Sequence, residues 1–104
     1  MIIVNTPTVP NKAITEVHGI ARGSTVRARN VGSDIFAGLK NIVGGEISEY
    51  TKLQADSREQ ALKRMQEDAE RLGANAVVNL RITTSMVMQG CSEILAYGTA
   101  VTVK

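Results

Sequence analysis

The clearest pattern of apolar and polar positions predicts one long amphipathic helix, from Ser48 to Leu72, which Gly73 ends. At 100° per residue the apolar side chains gather into a single stripe, and charged side chains occupy the opposite side. The stripe contains Tyr50, Ala61, Leu62, Met65, Ala69 and Leu72, and the charged side contains Lys52, Asp56, Glu59, Lys63 and Glu67. At about 1.5 Å per residue this helix is roughly 37 Å long.

Arg58 is the exception within this helix, because it falls near the middle of the apolar stripe. A charged side chain on a buried stripe needs a partner. That partner is either a carboxylate of a neighbouring subunit, which we favour, or a bound anion. Ser57 with Gln60 forms a second capping pattern, at which the helix can break.

Three longer segments have the alternation of strands. Residues 76–88 alternate between apolar and polar positions, and residues 93–103 follow after a turn at Gly90. Neither face of that last segment is polar. A further strand is predicted from Ile14 to Arg29, where glycines permit close approach of another element or mark a bulge.

The remaining elements are short. Residues 1–4 form an apolar run that prolines soon interrupt, and residues 30–34 resemble a turn. Residues 35–43 place apolar side chains on one face of a short helix, which Gly44-Gly45 ends. These side chains are Ile35, Phe36, Leu39, Ile42 and Val43.

Together these elements predict an α+β fold, in which an antiparallel sheet carries one long and one short helix on one face. The face under the long helix is lined by small residues: Ala96, Gly98 and Ala100, with Gly19 and Ala21. The other face carries Leu95, Tyr97, Val101 and Val103. Because an uncovered apolar face of this size usually marks an interaction surface, we expect a homo-oligomer whose sheets bury one another.

Composition narrows the class of protein. The 104 residues predict one domain, 1–104. A net charge of +2 and 3% aromatic residues argue against partners such as nucleic acid or a membrane surface. Residues 1–4 are too short for a signal-peptide core, so we expect a cytoplasmic protein. The one cysteine excludes an intrachain disulfide framework.

The candidate chemistry is sparse. Soft-metal ligands are available at Cys91, Met86, Met88 and His18. Strand alternation places Met86 and Met88 on one face, just before Cys91, although methionines that continue an apolar strand face are typical of ordinary core. A ring of subunits can bring one ligand per copy to its axis. Nothing in the sequence places Cys91 beside His18, so no catalytic residue is predicted.

Two further features have plain explanations. Gly44-Gly45 before the helix beginning at Ser48 can offer N–H groups to an anion, but we favour a tight connection between two helices. Alternating basic residues on the first long strand suit a solvated edge that discourages strand pairing better than they suit nucleic acid. These residues are Arg22, Arg27 and Arg29.

An ordered set of short segments resembles a known family. The segments are Phe36-Ala37-Gly38, Ile42-Val43-Gly44-Gly45, Tyr50, Arg58-Glu59, Ala61, Leu72-Gly73-Ala74, Ala76-Val77-Val78 and Gly98-Thr99-Ala100-Val101. From about Thr6 to Val101 the chain resembles the YbjQ family. The resemblance implies a dodecin-like α+β subunit assembled into a ring-shaped homopentamer. The family carries a heavy-metal-binding label, and its biochemical role is open.

The chain departs from the family pattern at four positions. Asn75 and Asn79 stand where the family usually has aspartate and glycine, respectively. Arg81 and Thr83 occupy positions that are often acidic in the family, so a metal role resting on those acids does not carry over.

The leading hypothesis is therefore a self-assembling, non-enzymatic protein, a homopentamer that binds a heavy metal or a small ligand. No cofactor is evident from the residues, and only the resemblance indicates the metal. The alternative is an enzyme with its site at the subunit interface, using His18 or Arg58 with acids of a neighbouring copy. Clustered polar side chains in an interfacial pocket would favour the enzyme, and a sealed apolar interface would favour the binding protein.

Overall fold

The structure is a computed structural model that describes residues 1–28, 42–43 and 46–104. Six strands and one helix lie within these residues. Their bounds are β1 (Ile2–Ile3), β2 (Ile14–Ala28), β3 (Ile42–Val43), β4 (Glu46–Ile47), α1 (Ser48–Arg71), β5 (Ala76–Met88) and β6 (Cys91–Val103). The fold is α+β, with a four-stranded sheet in the order β1-β5-β6-β2 and α1 packed on one face.

The long helix forms where its periodicity predicts, from Ser48 to Arg71. It continues through Ser57, whose side chain is buried against the sheet, so the alternative of a break at that position is wrong. The residues that contact the sheet are the small or flexible ones at every fourth position, Ala61, Met65 and Ala69, all fully buried. Four-residue spacing keeps them on one side of the helix.

The predicted short helix is corrected where the structure describes its residues. Ile42–Val43 form β3, which pairs antiparallel with β4, and residues 35–41 lie outside the described residues. The described part of the chain therefore contains one helix instead of two. The reason is physical, because periodicity cannot separate a helix from a strand in so short an apolar run.

The sheet is mixed, although the sequence pattern predicted an antiparallel one. β5, β6 and β2 are antiparallel neighbours, but β1 pairs in parallel with the start of β5, Ile2 opposite Ala76. The backbone of Val4 extends this contact by donating to the Val77 carbonyl at 2.9 Å. The opening residues thus form one edge of the sheet. A strand of two residues is too short to give a recognisable pattern in the sequence.

A close approach between backbones joins α1 to β2. A Cβ atom added to Gly23 would collide with the backbone of Met65 and Ala61, so only glycine permits this packing distance. Next to Gly23, Ala21 and Ala96 are fully buried under the helix. The prediction that small residues line the face under the helix is confirmed for Ala21, Ala96 and Ala100. It is wrong for Gly19, which is exposed with open space around its Cβ position.

The opposite face of the sheet is partly covered by the chain itself. Val101 and Val103 were predicted to lie on an uncovered face, and they are buried there in a second apolar cluster. The opening segment covers them, with Val9 inside the cluster and Ile2 and Val4 packed against it. The prolines at positions 7 and 10 exclude regular structure but do not prevent a segment from packing, so this cover was missed.

Candidate functional site

The candidate soft-metal ligands do not meet at one place. His18 lies on β2 close to the end of the helix, 4.0 Å from the Cβ position of Gly73. Its Nε2 atom is 2.7 Å from Thr102 Oγ1 and 3.5 Å from a Glu16 carboxylate oxygen. Cys91 begins β6, which runs from the β5–β6 turn to Thr102 near the opposite end. The imidazole and the thiol are thus at opposite ends of the sheet.

A register shift also separates the two methionines. Met86 pairs with Ser92 and Met88 pairs with Cys91. Because neighbouring residues of β6 point to opposite faces, the sulfurs of Met86 and Met88 lie on opposite faces of the hairpin. The prediction that they share one face is therefore wrong, and the bulge explains why. The same bulge places Met88 directly opposite the half-buried Cys91 thiol.

Arg58 is exposed, although its helical position predicts burial. α1 packs chiefly against β2 and less against β6 and β5, so the side of the helix that faces β5 overhangs the sheet. Arg58 lies one turn before Leu62, near the middle of the apolar stripe, whereas Ser57 beside it is buried. Because Arg58 is exposed, the burial that makes a partner obligatory is absent within one chain, and its pairing with a neighbour's carboxylate or an anion stays a prediction.

The overhang forms a groove between α1 and the β1–β5 edge of the sheet. The groove has a volume of about 580 Å³. Its apolar floor is formed by Ile3, Leu62 and Leu80, and its rim by Glu59, Lys63, Gln66, Glu67 and Glu70. Three carboxylates against one ammonium group make the rim acidic, and we call this feature the acidic groove.

The other side of the helix carries the opposite charge. The guanidinium groups of Arg27, Arg64 and Arg71 lie along α1 and β2 there, with Asp68 among them, and we call this side the basic flank. The Arg27 guanidinium donates to Gln60 Oε1 at 3.1 Å. Arg29, the third member of the predicted alternating basic set, lies outside the described residues.

Two side chains of the helix cap the outer edge of β2. The Arg22 N–H donates to the Asp68 carboxylate at 3.0 Å, and the Arg64 guanidinium donates to the Ser24 carbonyl at 2.7 Å. These two backbone groups are thus unavailable to another strand, which is a common protection of sheet edges. Arg71 donates to the same carboxylate at 2.7 Å.

The charge environment lowers the pKa of the Asp68 carboxyl below its ordinary value. The hydrogen bond from Arg71 is the largest cause, and the N–H of Arg22 adds to it, while partial burial opposes both. The two hydrogen bonds favour the ionised carboxylate, and burial disfavours it, as expected for each kind of environment. The carboxylate of Asp68 therefore stays charged while it caps β2.

The second half of β5, the outer strand of the β5–β6 hairpin, is exposed on both of its faces. All residues from Arg81 to Gln89 are exposed, whereas Ala76, Val77 and Val78 at the start of β5 are buried. In the described part of the chain, no strand pairs with the outer edge of β5 beyond Val77. Large apolar side chains exposed here and on β2 are Val17, Ile20, Val26, Ile82, Met86, Val87, Met88 and Tyr97.

The described residues contain no cluster of three or more histidine, cysteine, aspartate or glutamate side chains suited to a metal ion. Within the same residues, no helix has both the length and the apolar character to cross a lipid bilayer. Gly44-Gly45, the candidate anion loop, lies outside the described residues.

The fold and this surface define a small α+β protein whose described residues form a mixed sheet, one helix and an exposed apolar stretch at the end of β5. The chain belongs to the YbjQ family, whose model is described as "Putative heavy-metal-binding" and matches residues 1–104. It is 57% identical over 101 residues to a UPF0145 protein of Methanosarcina acetivorans, covering 97% of this chain and 95% of that protein. A UPF0145 protein of Archaeoglobus fulgidus is 58% identical over 101 residues, covering 97% and 94%.

A solved structure supports the fold independently of sequence. It is a protein of unknown function of the DUF74 family from Pediococcus pentosaceus, with a TM-score of 0.65. The similarity covers 100% of this chain and 98% of that one at 13% identity. At this identity it shows a shared fold and nothing about activity.

Sequence reasoning missed the two charged sides of α1. The helical wheel gives all exposed charges one solvent-facing side, and it cannot show over which strands the helix lies. The relevant pattern was present in the sequence, because Glu59, Gln66 and Glu70 lie on one side of the apolar stripe and Arg64 and Arg71 on the other. Because the helix is offset toward β2, the first of these sides faces the open part of the sheet and the second lies along β2.

Proposed function

We propose that this chain is a subunit of a homo-oligomer, a pentameric ring, which acts as a binding protein rather than as an enzyme. The observation that carries the proposal is the exposed apolar hairpin. Residues 81–89 are exposed on both faces, and the outer edge of β5 is open there among the described residues. An open edge with apolar side chains is a template for pairing with another chain.

The magnitude of the exposure supports assembly. Met86, Met88 and Val87 are 75%, 65% and 53% exposed, and Val17 and Ile20 on β2 are 69% and 61% exposed. Burying an apolar side chain of this size stabilises a protein by about 1.5–3 kcal/mol, so several such residues together provide a strong driving force. A second copy is the simplest partner, because every copy carries the same unfilled surface.

The membership in the YbjQ family gives the expected number of copies. The resemblance stated above implies a ring of five, and native mass spectrometry of protein purified without added metal tests it. We expect an ion series for five chains at micromolar concentration. A monomer under these conditions would overturn the proposal, and another closed stoichiometry would overturn the pentamer while leaving self-assembly.

A second candidate function is the binding of a soft heavy metal at the end of the hairpin. The register that pairs Met88 with Cys91 supports it, because thioether and thiolate sulfurs suit Cu(I) and similar ions. One chain offers only this pair, so a complete site requires sulfur ligands from neighbouring copies. His18 is too far away to contribute within one chain, and Met86 lies on the other face.

A metal titration tests whether this chain itself binds a soft metal ion. We expect the oligomer to bind Cu(I) with sub-micromolar affinity and Zn(II) more weakly, as measured by competition with a chromophoric chelator. Cys91→Ser and Met88→Leu should each weaken Cu(I) binding, whereas Met86→Leu is the matched control and should not. Wild-type protein that binds neither ion below micromolar concentration would remove the metal function.

A further inference from the structure

The two sides of α1 are complementary in charge. On one side the acidic groove has three carboxylates and one ammonium group around an apolar floor. On the other side the basic flank has three guanidinium groups and one carboxylate. Because the two surfaces lie on opposite sides of one helix, they cannot meet within one chain.

We propose that copies of this chain associate head to tail, with the basic flank of one copy seated in the acidic groove of the next. The inference rests on the proposed homo-oligomer and names its two contacting surfaces. Unlike surfaces on opposite sides of a subunit give a heterologous contact, which generates a closed ring when the rotation between copies is favourable.

Arginine side chains fit this groove for a second reason. Their aliphatic stems can cover the floor formed by Ile3, Leu62 and Leu80, while their guanidinium groups remain at the charged rim. The planar guanidinium also pairs with a carboxylate through two hydrogen bonds, which lysine cannot do. Glu59 and Glu67 at the rim are both exposed and so accessible to a neighbouring copy.

The capped edge of β2 is consistent with a contact through side chains. Asp68 and Arg64 already bond to the N–H of Arg22 and the carbonyl of Ser24. A neighbouring strand would have to displace both bonds to continue the sheet through this part of β2. The guanidinium of Arg71, in contrast, stays accessible, with its side chain 71% exposed.

Charge reversal tests the arrangement with two folded variants. The groove variant is Glu59→Lys with Glu67→Lys, which makes both sides basic. The flank variant is Arg27→Glu with Arg71→Glu, which makes the flank acidic like the groove. We expect each variant alone to dissociate, with an association constant lowered about tenfold or more, as measured by sedimentation velocity. Circular dichroism confirms that both variants remain folded.

Combining both pairs of substitutions in one chain is the decisive step. Each contact then joins opposite charges again, whatever the number of copies in the ring, so the chain with all four substitutions should recover assembly. The matched control, Lys12→Glu with Lys104→Glu, changes the net charge as the flank variant does, but at exposed positions outside both surfaces. It should keep the wild-type mass.

The outcomes separate this inference from the proposed function. If wild-type protein is a monomer, the homo-oligomer and this inference both fail. If wild-type protein assembles and the groove variant keeps its full mass, the homo-oligomer stands and the head-to-tail contact is overturned. Folded variants that dissociate singly, together with a folded four-substitution chain that does not recover assembly, would also overturn it.

Discussion

Single residues decide how closely the helix and the sheet approach each other. Gly23 lets the backbone of α1 lie directly on β2, at a distance that no side chain allows. Asn79 has a φ of 54° and lies in the bulge of β5, where its N–H donates to the Thr6 carbonyl at 2.9 Å. Asparagine adopts this left-handed conformation more readily than most residues, so Asn79 suits the bulge.

The expected result of Gly23→Ala is a large loss of stability. Its Cβ would overlap backbone atoms of Met65 and Ala61, which cannot move without displacing the whole helix. We expect the free energy of unfolding to fall by about 3 kcal/mol in urea denaturation at a fixed chain concentration.

Ser24→Ala is the matched control for this change, because Ser24 is the next residue of the same strand. It should alter stability by about 0.5 kcal/mol or less. A Gly23→Ala protein as stable as this control would show that α1 does not pack on β2 at the distance described.

At the scale of elements, the offset of α1 toward β2 determines the surface. The helix buries Ala61, Met65 and Ala69 over β2 and β6, and it leaves the β5 side of the sheet open. This offset makes the outer edge of β2 the edge that the helix protects. Asp68 is central to that protection because its carboxylate binds both the Arg22 N–H and the Arg71 guanidinium.

Asp68 gives the stability a pH dependence with a defined sign. Its pKa in the folded chain is lowered, so its contribution is complete above the pKa of the unfolded carboxyl and is lost as the pH falls through the folded value. We expect the difference in Tm between wild-type protein and Asp68→Asn to be largest near pH 7 and to shrink below about pH 4.

Arg71→Gln is the control for the cause of this dependence, because it removes the main donor to Asp68. Its Tm should fall less steeply with acid than that of wild-type protein. A Tm difference between wild type and Asp68→Asn that is constant from pH 7 to pH 3 would contradict the role assigned to the carboxylate.

The elements also differ in how well their sequences predict them. The bounds of α1 and β5 follow from patterns that extend over many residues, from Ser48 and from Ala76 onward. The parallel pairing of β1 and the bulges at Asn79 and near Met88 could not be predicted, because register depends on the strand opposite. That is why alternation gave the wrong face for one of the two methionines.

At the scale of the whole molecule, the apolar surface that one chain leaves exposed is the surface that assembly would bury. The sequence predicted an uncovered apolar face that includes Val101 and Val103. In the structure the opening segment covers these two residues. The exposed apolar side chains are instead those near the end of β5 and Val17 on β2. For the candidate metal ligands, the sequence could show which residue types are present but not which of them lie close together. Their arrangement depends on which strands lie at each end of the sheet.

Arg58→Ala tests the charged residue that the sequence singled out. Because Arg58 is exposed and does not line the acidic groove, its guanidinium is accessible to a carboxylate of a neighbouring copy. We expect the variant to have a smaller mean mass in light scattering at low micromolar concentration. Arg58→Lys, which keeps the charge, should be affected less, and an Arg58→Ala protein of unchanged mass would contradict the interface role.

The methionines of this chain also form a natural set of probes for chemical footprinting. Met65 is fully buried under the helix, whereas the side chains of Met86 and Met88 on the hairpin are largely open to solvent. Peroxide converts accessible methionine to its sulfoxide and spares residues that solvent cannot reach. A dissociated subunit should therefore be oxidised at the hairpin before Met65, and the ratio of these products reports solvent access without any added label.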